Sequence, residues 1–167
     1  AGDAICCLRL IVVVDTLRAD ALGCYGAERP TSPAIDAFAA SGRAAEEMYS
    51  AASYTLASIA SFFTGLAPAA HRVLGLESNV LPEDLAVLAE RLAAAGFATA
   101  GFSSNPHITV EGGFARGFER FEYHPRDRFD VHTVPEALAG SALAWWREHE
   151  GRRRFLYVHV LPPHQPY

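Results

Sequence analysis

With 167 residues, half of them hydrophobic, the chain is long enough to bury a core as one domain and too apolar for a disordered polymer. A net charge of -5, with arginine as the sole strong base, argues against a nucleic-acid partner and removes any role that requires a lysine amine. Three cysteines, two of them the neighbours Cys6 and Cys7, do not make a disulfide framework and read as buried thiols.

In chain order, the apolar stretch from Ala4 to Val14 is interrupted by Arg9 and falls well short of the ~20 residues a membrane-spanning helix needs, so it reads as a core strand. It lacks the basic start and small-residue cleavage site of a signal peptide. Leu10 to Val14, mostly β-branched, fit a strand buried on both faces that ends at Asp15. In open α/β sheets that end is where ligands sit. Asp15 is therefore either the cap of the next turn or a cation ligand, because a buried carboxylate is costly unless it is paired or bound to a metal. After the glycine-rich loop from Leu22 to Gly26, Thr31-Ser32-Pro33 predicts a helix with Ser32 as N-cap and Pro33 in the first turn. Ile35 and Phe38 give it an apolar stripe, and Gly42 suits its end. Arg43 to Ser50 is a strand candidate.

In SYTLASIASFFTG, residues 53–65, Leu56, Ile59, Ala60 and Phe63 recur at helical spacing and place Thr55 at or near a helix N-terminus. Thr55 there is an ordinary N-cap or a hydroxyl poised beside unpaired N–H groups and the positive end of the dipole, where an anionic ester is favoured. Pro82 to Ala95 predicts the clearest helix, with Pro82 opening it, Glu83 and Asp84 in its first turn, Leu85, Leu88 and Leu92 on one face, and Gly96 closing it. Phe97 to Phe102 reads as a second buried strand, ending in the polar turn Ser103-Ser104-Asn105-Pro106-His107. Gly112 to Phe118 is expected as a loop packing its rings on the core, and Glu119 to Asp130 as irregular. Thr133 to Glu136 has capping-box spacing, and Leu138, Ala142, Trp145 and Trp146 continue a helical face on which the tryptophans pack. Arg152 to Arg154 read as a solvated turn or as a basic cluster facing an anionic substrate, and Phe155 to Leu161 as a last strand, ending in Pro162-Pro163-His164-Gln165-Pro166-Tyr167.

Helix and strand alternate, which gives an α/β domain with a mainly parallel sheet flanked by helices. Parallel strands bring their C-terminal ends to one side, so Asp15, Asn105, His164 and the helix start at Thr55 are expected around one cleft. His159, on the opposite side of its strand from Val158 and Val160, is a further candidate for that cleft.

Asp15-Thr16-Leu17-Arg18-Ala19-Asp20, followed by Leu22-Gly23-Cys24-Tyr25-Gly26, resembles the opening motif of the sulfatase family, within the alkaline-phosphatase-like superfamily of metal-dependent ester hydrolases. TSPAIDAFAASG resembles its second landmark, a helix beside the first strand, and PPHQPY its Pro-His motif. The resemblance implies an alkaline-phosphatase-like fold in which residues 1–167 are the N-terminal portion of a single catalytic domain. The C-terminal half is then expected elsewhere, with further metal ligands and a basic residue. Aligned on Thr64-Gly65, it puts Thr55 at the nucleophile, where sulfatases carry Cys or Ser, Ala57 at a proline and Ile59 at an arginine. Sulfatases oxidise that Cys or Ser to formylglycine; the methyl on the threonine Cβ closes this route. Superfamily relatives that attack phosphorus use Thr directly.

The resemblance thus implies Thr55 as nucleophile and metal ligand, Asp15 as metal ligand, His164 as a group that contacts the ester or protonates the leaving group, and Asn105 as a neutral donor to the ester. The cation implied is Ca2+, with Mn2+, Mg2+ or Zn2+ open because Thr16 stands where a second aspartate is usual. The substrate implied is a small anionic sulfate or phosphate ester. A phosphoryl or phosphoglycerol transferase of the same superfamily and a catalytically incomplete binding fragment are the alternatives.

Overall fold

The computed structural model describes residues 8–75, 80–125 and 133–163. Four strands form one sheet in the order β1-β4-β2-β3, every neighbouring pair parallel: β1 is Leu8–Val14, β2 Ala98–Ser103, β3 Arg120–Tyr123 and β4 Arg154–Val160. The helices are α1 (Pro33–Ala40), α2 (Thr55–Thr64), α3 (Pro68–His71), α4 (Leu88–Ala94) and α5 (Thr133–Glu148). The parallel α/β architecture expected from the alternation of elements is the one observed.

The register fixes which ends meet. Val13 lies opposite His159, and His159 opposite Ser103, so β1, β4 and β2 finish level with one another. The ladder runs on into the loops: Asp15 N–H donates to the Val160 carbonyl at 3.0 Å and Ser104 N–H to the His159 carbonyl at 2.9 Å. Alternation along β4 sends Phe155 and Tyr157 to the side of α2, into a core with Ile59, Phe63, Val87 and Phe114. Leu156 and Val158 go to the other side, against Leu138, Ala142 and Trp145 of α5.

Several elements differ from expectation. Among the described residues β1 is an edge strand, and Leu10 at 55% and Val12 at 56% exposed leave one of its faces open. The helix expected from Pro82 begins at Leu88. Arg116 donates to the carbonyls of Pro82 and Leu85, oxygens that a helix would need for its own ladder. The Glu90 carboxylate meanwhile accepts from Val87 N–H at 3.0 Å and opens the helix there. Residues 43–50 form no strand. Residues 120–123, expected as irregular, pair with β2 as β3. Arg154 is not in a solvated turn: it is buried at the start of β4, stacked 4.2 Å from the centre of the Trp146 ring and bonded to the Trp146 carbonyl.

The helix α1 starts at Pro33 as predicted, yet Phe38 is 79% exposed and Ile35 is also exposed, so its apolar stripe faces outward. It attaches by its polar side. Ser32 Oγ accepts from Gly23 N–H at 2.9 Å, and Asp36 Oδ1 from Cys24 N–H at 2.8 Å. A Cβ on Gly23 would collide with the Asp36 carboxylate, which explains the glycine in the Leu22 to Gly26 loop. Cys24 is a free, partly buried thiol, whereas Cys6 and Cys7 lie outside the described residues.

Candidate active site

Asp15 follows β1 directly and is 8% exposed. The next residue, Thr16, has φ 54, a left-handed conformation that a β-branched residue adopts only under strain, so the chain bends sharply as soon as the carboxylate is delivered. Arg18 and Asp20 of the same motif pair at the surface, with Arg18 Nε 2.8 Å from Asp20 Oδ1, and hydrogen bonding to Arg18 lowers the Asp20 pKa. Such exposed pairs contribute little to stability.

Thr55 is the first residue of α2. Tyr54 before it is extended, and the first intrahelical bond runs from Ser58 N–H to the Tyr54 carbonyl at 3.0 Å. The N–H groups of residues 55–57 therefore have no acceptor within the helix. Leu56, Ile59, Ala60 and Phe63 anchor one side of α2 in the core, and Gly65, at φ 72, ends it in a left-handed cap. The half-buried Thr55 hydroxyl is thereby held at a helix N-terminus, where the backbone field favours negative charge.

The turn after β2 supplies Asn105, which is 2% exposed. Its N–H donates to Ser103 Oγ at 3.1 Å and its Oδ1 accepts from His107 N–H at 2.9 Å, an Asx turn that leaves Nδ2 pointing inward. Nδ2 donates to Asp15 Oδ2. Thr55 Oγ1 lies 3.3 Å from both Asp15 oxygens, joining residues 40 positions apart in sequence. Asp15, Thr55 and Asn105 thus share one locus at the C-terminal edge of the sheet, whereas His164 lies outside the described residues.

His159 belongs to this locus as well. It is fully buried, with Nε2 3.6 Å from Asp15 Oδ2 and Nδ1 2.9 Å from the Tyr157 hydroxyl. Tyr157 was not among the residues expected at the site. Alternation could have found it, since residues two apart on a strand share a face. Burial above all, and then the charge of Asp15, pushes the Tyr157 pKa far upward, so the phenol keeps its proton.

Two openings flank Thr55. One, of about 430 Å³, is lined by Tyr54, Thr55, Asn105, His107 and Leu161 among others. The other, of about 380 Å³, is lined by Asp15, Ser50, Ser58, Ile59 and His159 among others. Among the described residues no three His, Cys, Asp or Glu side chains cluster as a metal site. Asp15 and Thr55 nevertheless form a pair of hard oxygen donors, which fits part of the shell of a divalent cation.

The fold has known counterparts. The phosphonate monoester hydrolase of Agrobacterium radiobacter superposes with a TM-score of 0.78 at 20% identity, covering 94% of this chain and 41% of that one. The C-terminal periplasmic domain of EcEptC from Escherichia coli, in complex with Zn, gives 0.70 at 17% identity, covering 95% and 45%. At such identities the likeness speaks for the fold alone. An arylsulfatase of Clostridium perfringens (strain 13 / Type A) is 27% identical over 148 residues, 85% of this chain and 30% of the relative. The chain thus spans between about a third and a half of the length of these proteins. The Sulfatase family model matches residues 9–167, from the first strand through the Pro-His motif, and with that match the chain belongs to the sulfatase family.

Proposed function

We propose that this chain carries the nucleophile end of a metal-dependent ester hydrolase acting on small anionic sulfate or phosphate esters. The observation that supports it most is the approach of Thr55 Oγ1 to both oxygens of Asp15, 3.3 Å each, from two separate elements. Asp15 and Thr55 are the residues that would hold a divalent cation. When bound, such an ion lowers the pKa of a hydroxyl and offsets charge on the ester oxygens. Family membership and the Zn in the EcEptC structure favour a divalent ion as the cofactor, and the oxygen donors leave Ca2+, Mn2+, Mg2+ and Zn2+ open.

The chain's own groups then divide the work. The Thr55 hydroxyl proton points to Asp15, which orients Oγ1 for attack on sulfur or phosphorus. The N-terminus of α2 favours the anionic ester. As the bond from Oγ1 to the central atom forms, the Thr55 proton passes to solvent water and the bond to the leaving alkoxide breaks, with His164 giving the alkoxide its proton. Asn105 serves at the cleft wall as a neutral donor, with Nδ2 given to Asp15 in the resting geometry. Water, or an acceptor alcohol in the transferase variant of this reading, then removes the group from Thr55.

The test is a rate measurement on the full-length protein with an aryl sulfate, an aryl phosphate and an aryl phosphodiester, with and without an acceptor alcohol and Mn2+. Thr55→Ala is expected to lower kcat/KM by at least ~10³-fold on whichever ester is turned over, as loss of an attacking group does in other hydrolases. An unchanged rate removes Thr55 from the chemistry. Transfer to the alcohol in place of hydrolysis selects the transferase, and absence of turnover on all esters selects a binding role.

A further inference from the structure

We infer that His159 is a positioning residue for Asp15, held in one tautomer by Tyr157, and that the cation affinity of the Asp15–Thr55 pair depends on both. The inference rests on the metal-dependent reading above and extends it to two residues that do not touch the ester.

His159 is fully buried, and its Nε2 has no hydrogen-bond partner among the described residues. A buried ring nitrogen without a partner is uncommon and calls for a reason. Asp15 Oδ2 lies 3.6 Å from it, beyond a formed hydrogen bond but well within electrostatic reach. On the other side of the ring, Nδ1 lies 2.9 Å from the Tyr157 hydroxyl. Tyr157 cannot swing away, because its ring packs 5.0 Å from Phe63 at 81° and 6.5 Å from Phe62, both on α2.

The two possible tautomers are not equivalent in this setting. If Nδ1 carried the proton and donated to the Tyr157 oxygen, a neutral ring would present the Nε2 lone pair to a carboxylate. If the Tyr157 hydroxyl donates to Nδ1, Nε2 carries the N–H and presents its positive end to Oδ2. The second arrangement replaces repulsion with attraction. Oδ2 then faces two N–H donors, Asn105 Nδ2 and His159 Nε2, brought by β2's turn and by β4, beside the Thr55 hydroxyl. Donors from different elements fix the plane of the carboxylate. This is the arrangement that tunes a metal-binding carboxylate from outside its ligand shell.

The experiment measures binding of Mn2+ alone, without substrate, to the full-length protein by isothermal titration calorimetry, together with the metal-free Tm. Asp15→Ala sets the level of lost binding. His159→Leu is expected to weaken Mn2+ by about 10–100-fold, the usual effect of removing such an outer partner. Tyr157→Phe, which frees the tautomer, weakens it in the same direction. His159→Gln, with an amide N–H near the Nε2 position, recovers most of the affinity. A role in packing alone would lower Tm in His159→Leu with Mn2+ affinity within twofold of wild type, and that result overturns the inference. Equal and complete loss in His159→Leu and His159→Gln with Tyr157→Phe unaffected also overturns it, in favour of direct ligation. If His159→Leu does not fold, unchanged affinity in Tyr157→Phe decides against it. Failure of the underlying reading looks different: wild type itself then binds no Mn2+, and Asp15→Ala has nothing to lose.

Discussion

On β4, Leu156 and Val158 join Phe102, Leu138 and Trp145 in an apolar layer under α5, while Phe155, Tyr157 and His159 turn toward α2. A buried charged group on the α5 side, Arg154, lies at the far end of β4 from Asp15, stacked on Trp146. The α2 layer holds an aromatic cluster, with Phe63 at 5.8 Å from Phe114 and 6.1 Å from Phe118, and carries Tyr157, His159 and Asp15 toward the sheet's C-terminal edge. The same strand therefore packs the domain on one side and lines the proposed site on the other. Packing that supports a site is distinguished from packing that supports only stability by what the buried rings touch next.

The largest effects that test this contrast come from the two cores. Phe63→Ala and Trp145→Ala remove comparably buried rings, and each is expected to cost about 3–5 kcal/mol in urea unfolding, a large share of a typical domain's stability. The milder Phe63→Leu and Trp145→Leu should separate in activity. Phe63 backs Tyr157, so its shortening lets the Tyr157–His159 pair move and should lower kcat/KM roughly tenfold or more, given the sensitivity of catalysis to ångström displacements. Trp145→Leu should leave kcat/KM within about twofold at a temperature where both variants are folded. Equal losses would mean that the two faces are mechanically one.

The elements on the α2 side were legible in the sequence to different degrees. Thr55 at the first position of α2, and Asp15 and Asn105 beyond β1 and β2, follow from apolar runs and helical spacing that end abruptly, because those patterns are local. The start of α4 was not legible, since Arg116 takes the carbonyls of Pro82 and Leu85 from more than thirty residues away. Nor was the exposure of β1. A run of valines looks the same in an edge strand as in a central one, and strand order is a property of the whole sheet. The α1 stripe misled for a related reason: Ser32 and Asp36 dock the helix through hydrogen bonds that hydrophobic periodicity does not register.

A second polar pair on the α2 side offers a smaller effect, read in pH. His71 is fully buried at the end of α3, with Nδ1 accepting from Val73 N–H at 3.0 Å, so Nε2 carries the proton and donates to Ser61 Oγ at 2.9 Å. Burial lowers its pKa below the usual 6.5, and the native state holds the ring neutral. The unfolded chain therefore binds the proton more readily. Stability from this group is complete above pH ~6.5 and declines as pH falls toward the depressed folded value. Urea midpoints measured between pH 8 and 5 should fall less steeply in His71→Gln than in wild type. Parallel slopes would show that His71 does not titrate differently on folding.

The smallest effect concerns the bend that delivers Asp15. Thr16 and Arg72 are the two non-glycine residues with positive φ among those described, at 54 and 66. A β-branched residue in this region carries roughly 1–2 kcal/mol of local strain, which asparagine tolerates better. Arg72 follows α3 and has a compensating partner: its guanidinium spans both oxygens of Asp84 at 2.8 Å, and Asp84 has its pKa lowered by that hydrogen bonding. Thr16→Asn is therefore expected to raise stability by up to about 1 kcal/mol, and Arg72→Asn by less, because the ion pair is lost with the strain. Thr16 sits on the rim of both openings beside Thr55, so the gain at that position should come with slower turnover, whereas Arg72→Asn should leave turnover alone. Strain kept next to Asp15 and relieved without functional loss would mean that the bend is an accident of packing; strain whose relief lowers the rate of the proposed reaction ties the backbone at Thr16 to the placement of the carboxylate.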